Sequence, residues 1–173
     1  MPGQLAGVAL VIASFLIGAI PWGYVVGKAS RGIDVRTVGS GGTGATNILR
    51  TVGARASALV ALLDILKGLL PVVFARWAEF GGVWVAMAAV ATVAGHCWSP
   101  FIGFKGGKGV ATGAGAAIAL FPQILLIVPV MAVVVWTTKY VSLGSLTAAA
   151  LGALLAVAYA VAGQLDWTGK KAL

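Results

Sequence analysis

Six apolar stretches divide the chain, and short polar or glycine-rich segments separate them. A bilayer-spanning helix needs about 20 mostly apolar residues, and the first, second and last stretches reach that length easily. The others are shorter and would recruit flanking residues or lie partly inside a helix bundle. The pattern predicts an all-α polytopic membrane protein with about six transmembrane helices. The stretches run over residues 4–26, 56–74, 83–98, 110–121, 123–138 and 143–163.

Composition supports a membrane location. Hydrophobic residues make up 60% of the 173-residue chain and charged residues 9%, whereas a soluble domain carries roughly 25% charged residues. We expect one integral-membrane domain over residues 1–173. Its first stretch lacks the charged start and the Ala-x-Ala exit of a cleaved signal peptide, which predicts a retained helix. The single cysteine, Cys97, excludes an internal disulfide and a multi-cysteine metal site, so we expect no metal centre.

Basic residues are unevenly distributed among the loops. The net charge is +8, and eight of the twelve lysines and arginines follow the first, third and fifth predicted helices. Basic loops of membrane proteins face the cytoplasm, which places the N-terminus outside and the glycine-rich loops on the cytoplasmic face. Lys170 and Lys171 then fall outside, against the trend. The eight residues are Lys28, Arg31, Arg36, Arg50, Arg55, Lys105, Lys108 and Lys139.

The segment GSGGTG, residues 39–44, has the G-x-G-x-x-G spacing of a dinucleotide-binding turn, and Asp64 follows about 20 residues later. That turn must follow a buried strand of a βαβ unit, whereas this segment follows a membrane helix and the charged stretch SRGIDVR. Asp64 lies inside an apolar helix rather than at a strand end. The Walker pattern is also absent, so we exclude a nucleotide-binding domain.

Residues 39–47, the first glycine loop, have the composition of an anion-binding loop. Glycines let successive backbone N–H groups converge on an anion, and Ser40, Thr43, Thr46 and Asn47 add side-chain donors. The segment ATNILRTV resembles the start of a helix, whose free N–H groups favour a phosphate. Arg50 follows one turn later. The alternative is a flexible turn without a ligand.

Residues 103–109, the lysine loop, repeat this composition. Lys105 and Lys108 stand among four glycines just before another apolar helix, with no acidic residue nearby. Lysines that only determined topology would need no glycines, so anion binding is the preferred interpretation. Two such loops on one membrane face suggest a pair of substrates that carry two phosphates.

Charged or titratable side chains also occur near the apolar segments. Asp64 and Lys67 lie three residues apart on one predicted helix, where they can pair. We interpret them as a structural pair inside the bundle, although intramembrane charges are functional by default. His96 ends the third predicted helix, and the sequence shows no carboxylate partner for it. Structural and catalytic roles are equally open for that histidine.

Four segments closely resemble the bacterial acyl-phosphate:glycerol-3-phosphate acyltransferase family (PlsY). They are GSGGTGATN, LDILKG, AGHCWSPFIGFKGGKGVAT and YVSLGS, and they occur in the family's order. The resemblance implies transfer of a fatty acyl group from acyl-phosphate to glycerol 3-phosphate, which forms lysophosphatidic acid for phospholipid synthesis. It also implies that no cofactor and no thioester donor is used, and that a substrate phosphate acts as the base.

The resemblance also implies roles for individual residues. Ser40, Asn47, Arg50, Lys108 and Ser142 would contact the phosphates and hydroxyls of the substrates, with Lys105 and His96 beside them. The candidate catalytic residues are therefore Ser40, His96, Lys105 and Ser142. The candidate substrate-binding residues are Gly39, Gly41, Thr43, Gly44, Thr46, Asn47, Arg50, Gly106, Gly107 and Lys108.

The chain departs from the family's pattern at three places. Gly42 replaces a usual Asn, and Ala19 replaces a common Ser. Family members also continue into a seventh helix and an Arg-His-x-x-Asn segment, whereas this sequence ends at QLDWTGKKAL. Either the sequence is truncated or the active site is incomplete, and we expect weak or no turnover from residues 1–173 alone.

An alternative function is a small transporter or channel for a phosphorylated anion. It predicts polar residues along the spans, which carry few besides Asp64 and Lys67. A catalytically inactive scaffold is a third interpretation, suggested only by the missing segment. As an acyltransferase, the protein would lie in the bacterial cytoplasmic membrane as a monomer, in contact with the bilayer and not with nucleic acid.

Overall fold

The computed structural model describes residues 2–162, in which the regular elements are all helices and no β-strand occurs. This confirms the all-α prediction. Two 3₁₀ segments, Pro100–Ile102 and Pro122–Ile127, join some of the helices. The α-helices are α1 (Gln4–Ala19), α2 (Trp22–Arg31), α3 (Ala45–Thr51), α4 (Ala54–Trp77), α5 (Gly82–Cys97), α6 (Val110–Leu120), α7 (Val128–Thr138) and α8 (Val141–Val161).

Each of the six apolar stretches contains helix. Among the described residues, four helical segments are long and apolar enough to cross a bilayer, and they are Gln4–Arg31, Ala54–Trp77, Gly82–Ile102 and Val141–Val161. The apolar segments Val110–Leu120 and Pro122–Thr138 are shorter, as their sequences indicate. A polytopic membrane fold follows, and the number of six crossings stays a prediction.

The first apolar stretch is two helices rather than one. Pro21 has no N–H and separates α1 from α2. Backbone carbonyls freed inside a membrane need other donors. The Ser99 hydroxyl donates to the Ala19 carbonyl at 2.6 Å, and the Lys67 ammonium donates to the Ile20 carbonyl at 2.8 Å. The break is therefore satisfied by side chains from elsewhere in the fold.

Glycines let helix backbones approach closely. Gly18 of α1 lies against the Thr92 carbonyl of α5, and Gly95 of α5 lies against the Phe15 carbonyl of α1. Gly68 of α4 packs in the same way on α6. Small residues at such crossings are typical of membrane helix packing, because lipid gives no hydrophobic drive for association.

Gly95→Ala is expected to lower the stability of the folded protein by about 1–3 kcal/mol, because the added methyl group would overlap the Phe15 carbonyl. The midpoint of thermal unfolding in detergent would measure this. Gly81→Ala is the matched control, since no atom lies within 4 Å of the added carbon. Equal midpoints for the two variants would contradict the close contact between α1 and α5.

The chain forms two compact units, Met1–Ala119 and Leu120–Leu173. Within the second unit α7 packs against α8, and Gly144 of α8 contacts the Val135 side chain. The rings of Phe121 and Tyr159 meet edge to face at 5.0 Å. Both the first glycine loop and the lysine loop belong to the first unit. The single-domain assignment is untested and stays a prediction.

Candidate active site

Asn47 organises the first glycine loop. Its side chain is 2% exposed, and its Nδ2 lies within hydrogen-bond distance of the carbonyls of Val35 (2.8 Å), Val38 (3.2 Å) and Gly42 (2.9 Å). Its Oδ1 accepts from the backbone N–H of Ser40 at 2.9 Å. Each polar atom of the amide is thus used by the loop itself. We propose that Asn47 shapes the loop rather than contacting substrate.

The backbone conformation of the first glycine loop explains two of its glycines. Gly39 and Gly41 have positive φ angles of 61° and 71°, which other L-residues rarely adopt. A side chain at Gly39 would also overlap the amide oxygen of Asn47. The loop is supported by a small apolar core, whose buried members are Val26, Val35, Ile48 and Val60.

Several predicted ligand donors are accessible on this loop. Ser40 and Thr46 are exposed, and so is Arg50 on α3. Thr43 is buried, and its carbonyl packs against Gly23 of α2. Ser40, Thr46 and Arg50 are therefore the side chains placed to meet an anion. Gly44 is the residue immediately before α3.

Arg36 connects the two loops, and the sequence did not single it out for this role. Its guanidinium forms a two-point contact with the carboxylate of Asp34, at 3.0 and 2.7 Å. Its Nη1 donates to the Ile102 carbonyl at 2.8 Å. The central carbon of the guanidinium, Cζ, lies 5.1 Å from the ring centre of Tyr24. The signal available in the sequence was the separation of two residues between Asp34 and Arg36 in the segment IDVR. Arg36 therefore links the turn before the lysine loop to the segment just before the first glycine loop.

The Asp34 carboxylate remains ionised through the neutral range. Hydrogen bonds from Arg36 lower its pKa from 3.8 to about 2. A lowered pKa means that the ion pair contributes to stability above the ordinary value and is lost as the pH falls toward 2. The bridge between the loops is therefore insensitive to pH near neutrality.

The lysine loop folds back on the end of α5. The N–H of Gly106 donates to the Cys97 carbonyl, and the N–H of Gly107 donates to the His96 carbonyl, both at 3.1 Å. A methyl group at Gly106 would overlap the His96 carbonyl, and one at Gly107 would overlap the His96 ring. These glycines are needed for the close approach, which presents the exposed Lys105 and Lys108.

Neither lysine of this loop makes an ion pair or hydrogen bond within residues 2–162. Two uncompensated positive charges on a tightly held loop favour an anionic ligand. By contrast, no group of three metal-ligating side chains is present in that same range.

His96 lies beneath the lysine loop. It is 6% exposed, and its Nδ1 is 3.6 Å from Asp64 Oδ1, a carboxylate neighbour that the sequence did not reveal. This separation is too long for a hydrogen bond. Asp64 and Lys67 are paired at 2.8 Å and are 1% and 4% exposed. Burial favours the structural interpretation of His96, and its catalytic role stays a prediction.

Ser142 belongs to the second unit. It lies at the start of α8 and is exposed, and its carbonyl accepts from the Ser145 hydroxyl at 2.9 Å. Its participation alongside the two loops stays a prediction. Residues 164–173, the segment QLDWTGKKAL that follows the sixth predicted helix, lie outside the described residues.

The first glycine loop and the lysine loop both belong to the first unit, and Arg36 joins the segments that precede them. A family model for glycerol-3-phosphate acyltransferase matches residues 8–169. The chain belongs to this family. The resemblance inferred from the four sequence motifs is thereby confirmed.

Relatives of this acyltransferase span most of the chain. The glycerol-3-phosphate acyltransferase of Rubrobacter xylanophilus is 48% identical over 141 residues, which cover 80% of this chain and 70% of the relative. That of Geotalea daltonii is 44% identical over 146 residues, covering 83% and 74%. Glycerol-3-phosphate acyltransferase 1 of Deinococcus radiodurans is 45% identical over 155 residues, covering 88% and 78%.

Two crystal structures of PlsY, an integral membrane glycerol 3-phosphate acyltransferase, share the fold. The glycerol 3-phosphate form is 39% identical with a TM-score of 0.85, and it covers 94% of this chain and 80% of that one. The lysophosphatidic acid form is 38% identical with a TM-score of 0.82, covering 92% and 78%. These acyltransferase relatives favour acyl transfer over the transport alternative.

Proposed function

We propose that this acyltransferase transfers a fatty acyl group from acyl-phosphate to glycerol 3-phosphate, forming lysophosphatidic acid and inorganic phosphate for phospholipid synthesis. The observation that carries the proposal is the pair of phosphate-suited loops joined through Arg36 to the Ile102 carbonyl. The first glycine loop offers Ser40, and α3, which follows it, offers Arg50. The lysine loop offers Lys105 and Lys108. Family membership supplies the acceptor, and the second loop supplies a reason for a phosphorylated donor.

The reaction requires little chemistry from side chains. A hydroxyl oxygen of glycerol 3-phosphate attacks the acyl carbon, the bond between that carbon and the phosphate oxygen breaks, and the hydroxyl proton passes to phosphate. Acyl-phosphate is a mixed anhydride with a good leaving group, so no covalent enzyme intermediate is needed. Holding both phosphates in fixed positions supplies much of the acceleration. The arginine and lysines also stabilise the charge on the departing phosphate.

The acyl donor can be tested by phosphate release. With palmitoyl-phosphate, the purified full-length protein is expected to release inorganic phosphate only when glycerol 3-phosphate is present, and to form lysophosphatidic acid in equal amount. Palmitoyl-coenzyme A serves as the control donor and is expected to give no lysophosphatidic acid. Product formation from the thioester at an equal rate would contradict the assignment of the second loop to a donor phosphate.

The orientation is part of the proposal. Basic residues flank the first glycine loop and lie within the lysine loop, which supports the placement of both loops at the cytoplasmic face of a bacterial inner membrane with the N-terminus outside. Acyl chains then lie in the bilayer while the phosphates remain at its surface.

A labelling experiment tests this topology. In a Cys97→Ala background, a cysteine at Ser40 is expected to react only with a reagent supplied from the cytoplasmic side. A cysteine at Gly81, between α4 and α5, is expected to react only from the opposite side. Reaction of both positions from one side would exclude this arrangement of the first helices.

A further inference from the structure

The most deeply buried charged side chains of residues 2–162 contact groups that hold the first glycine loop and the lysine loop, which are together called the two phosphate loops. Lys67 and Asp64 of α4 are 2.8 Å apart and almost completely buried. The Lys67 ammonium also donates to the Ile20 carbonyl at 2.8 Å. The Asp64 carboxylate lies 3.6 Å from the His96 ring nitrogen. One ion pair therefore contacts both the break between α1 and α2 and the end of α5.

We propose that Asp64 and Lys67 are positioning residues, which set the two phosphate loops relative to each other during acyl transfer. This inference rests on the proposed function, because its main readout is the acyl-transfer reaction. The pair contacts no substrate in this proposal. It acts through Ile20 on one side and through His96 on the other.

Stability alone is a weak reason for such a pair. Removing two charges from water costs several kcal/mol per ion, and shape-matched apolar residues often stabilise a protein equally well or better. In a membrane span the same charges are rarer still and mark functional positions. The extra contacts of each partner point to a role in geometry.

The first contact governs the first glycine loop. Lys67 holds the Ile20 carbonyl at the α1–α2 break, and α2 begins at Trp22. Gly23 of α2 then packs directly against the Thr43 carbonyl of the loop. The direction in which α2 leaves the break therefore determines where the loop lies.

The second contact governs the lysine loop. Asp64 faces His96, and the His96 carbonyl accepts the N–H of Gly107. The ring of His96 also lies against Gly107, so a rotation of that ring would displace the loop. Lys108, the adjacent residue, would move with it.

The test replaces the pair with residues of matched shape, Asp64→Leu with Lys67→Met. We expect the melting temperature to stay within about 4 °C of the wild type, while kcat/KM for glycerol 3-phosphate falls about a hundredfold. Ser14→Ala is the control, since Ser14 is a buried polar residue of α1 that donates only to Leu10 within its own helix. Kinetic constants within twofold of wild type in the folded double variant would overturn the proposal.

A second variant keeps the proposal testable if the double variant does not fold. Asp64→Glu keeps both charges but moves the carboxylate by one methylene. It is expected to fold and to lower kcat/KM by about tenfold or more, because small misplacements of reacting groups are costly. Wild-type constants for this variant would also overturn the proposal.

Cys97 gives a readout that does not depend on activity. It is the only cysteine of the chain, and Gly109 of the lysine loop lies beside its sulfur. We expect its thiol to be labelled about tenfold faster in the double variant than in wild type, because the loop opens more readily. If the full-length wild type releases no phosphate, the proposed function fails. The labelling rate then decides this inference, and an unchanged rate refutes it.

Discussion

Alanine at Lys108 or at Arg50 is expected to reduce acyl transfer about ten- to a hundredfold while the protein remains folded. Both side chains are exposed, and within the described residues neither makes a hydrogen bond or an ion pair. Their removal therefore breaks no internal hydrogen bond or ion pair of the described residues. Each loses a charge-assisted hydrogen bond to a substrate phosphate, which is worth more than a neutral one. Initial rates with palmitoyl-phosphate and glycerol 3-phosphate varied in turn would show which substrate each residue holds.

Arg55→Ala is the matched control for this pair. Arg55 is another exposed basic residue of the same loop region, but it lies in the first turn of α4 and outside both phosphate loops. Its loss is expected to leave both KM values unchanged. If all three variants reduced the rate alike, a general effect of positive surface charge would replace the assignment of specific ligands.

Gly106→Ala is expected to reduce turnover about a hundredfold or more. The added methyl group would overlap the His96 carbonyl, a backbone atom that cannot turn aside. The loop would have to lift from the end of α5, and the two hydrogen bonds from Gly106 and Gly107 would break. Because Lys105 and Lys108 flank this point, both ammonium groups would be displaced together. Kinetics combined with a melting curve would separate this local effect from unfolding.

Gly42→Ala provides the comparison within the other loop. Nothing lies within 4 Å of the added carbon at Gly42, and its φ is not positive. The methyl group is therefore expected to change turnover less than about threefold, since a surface change of this kind shifts free energies by about 0.5 kcal/mol. A similar loss in both variants would show that the glycines serve flexibility rather than close packing.

The sequence predicted the helical architecture well because the length of an apolar stretch is a local signal. All six apolar stretches contain helices, and both glycine-rich segments are loops followed by helices. The division of the first stretch at Pro21 was missed. A helix break inside a membrane is tolerated when other groups satisfy the carbonyls that it frees. Here Ser99 and Lys67, from distant positions, donate to the Ala19 and Ile20 carbonyls.

The sequence was less informative about the internal contacts of the site. Asn47 was predicted as a substrate ligand because its type and position fit a phosphate loop, yet its amide is occupied by four backbone groups. Arg36 was counted only as a topology signal, although it joins the two loops. Both roles depend on which carbonyls the folded chain brings near, and no pattern of residue types records that.

The hydrogen bonds of Asn47 also bear on the time course of catalysis. A loop that is already in its final shape requires no ordering when glycerol 3-phosphate arrives, so the conformational entropy was lost during folding. Binding should then proceed in one step, without a slow rearrangement after encounter. The observed rate constant of the pre-steady-state binding phase should rise linearly with the concentration of glycerol 3-phosphate. All of the protein should be competent to bind, without selection of a minor conformation.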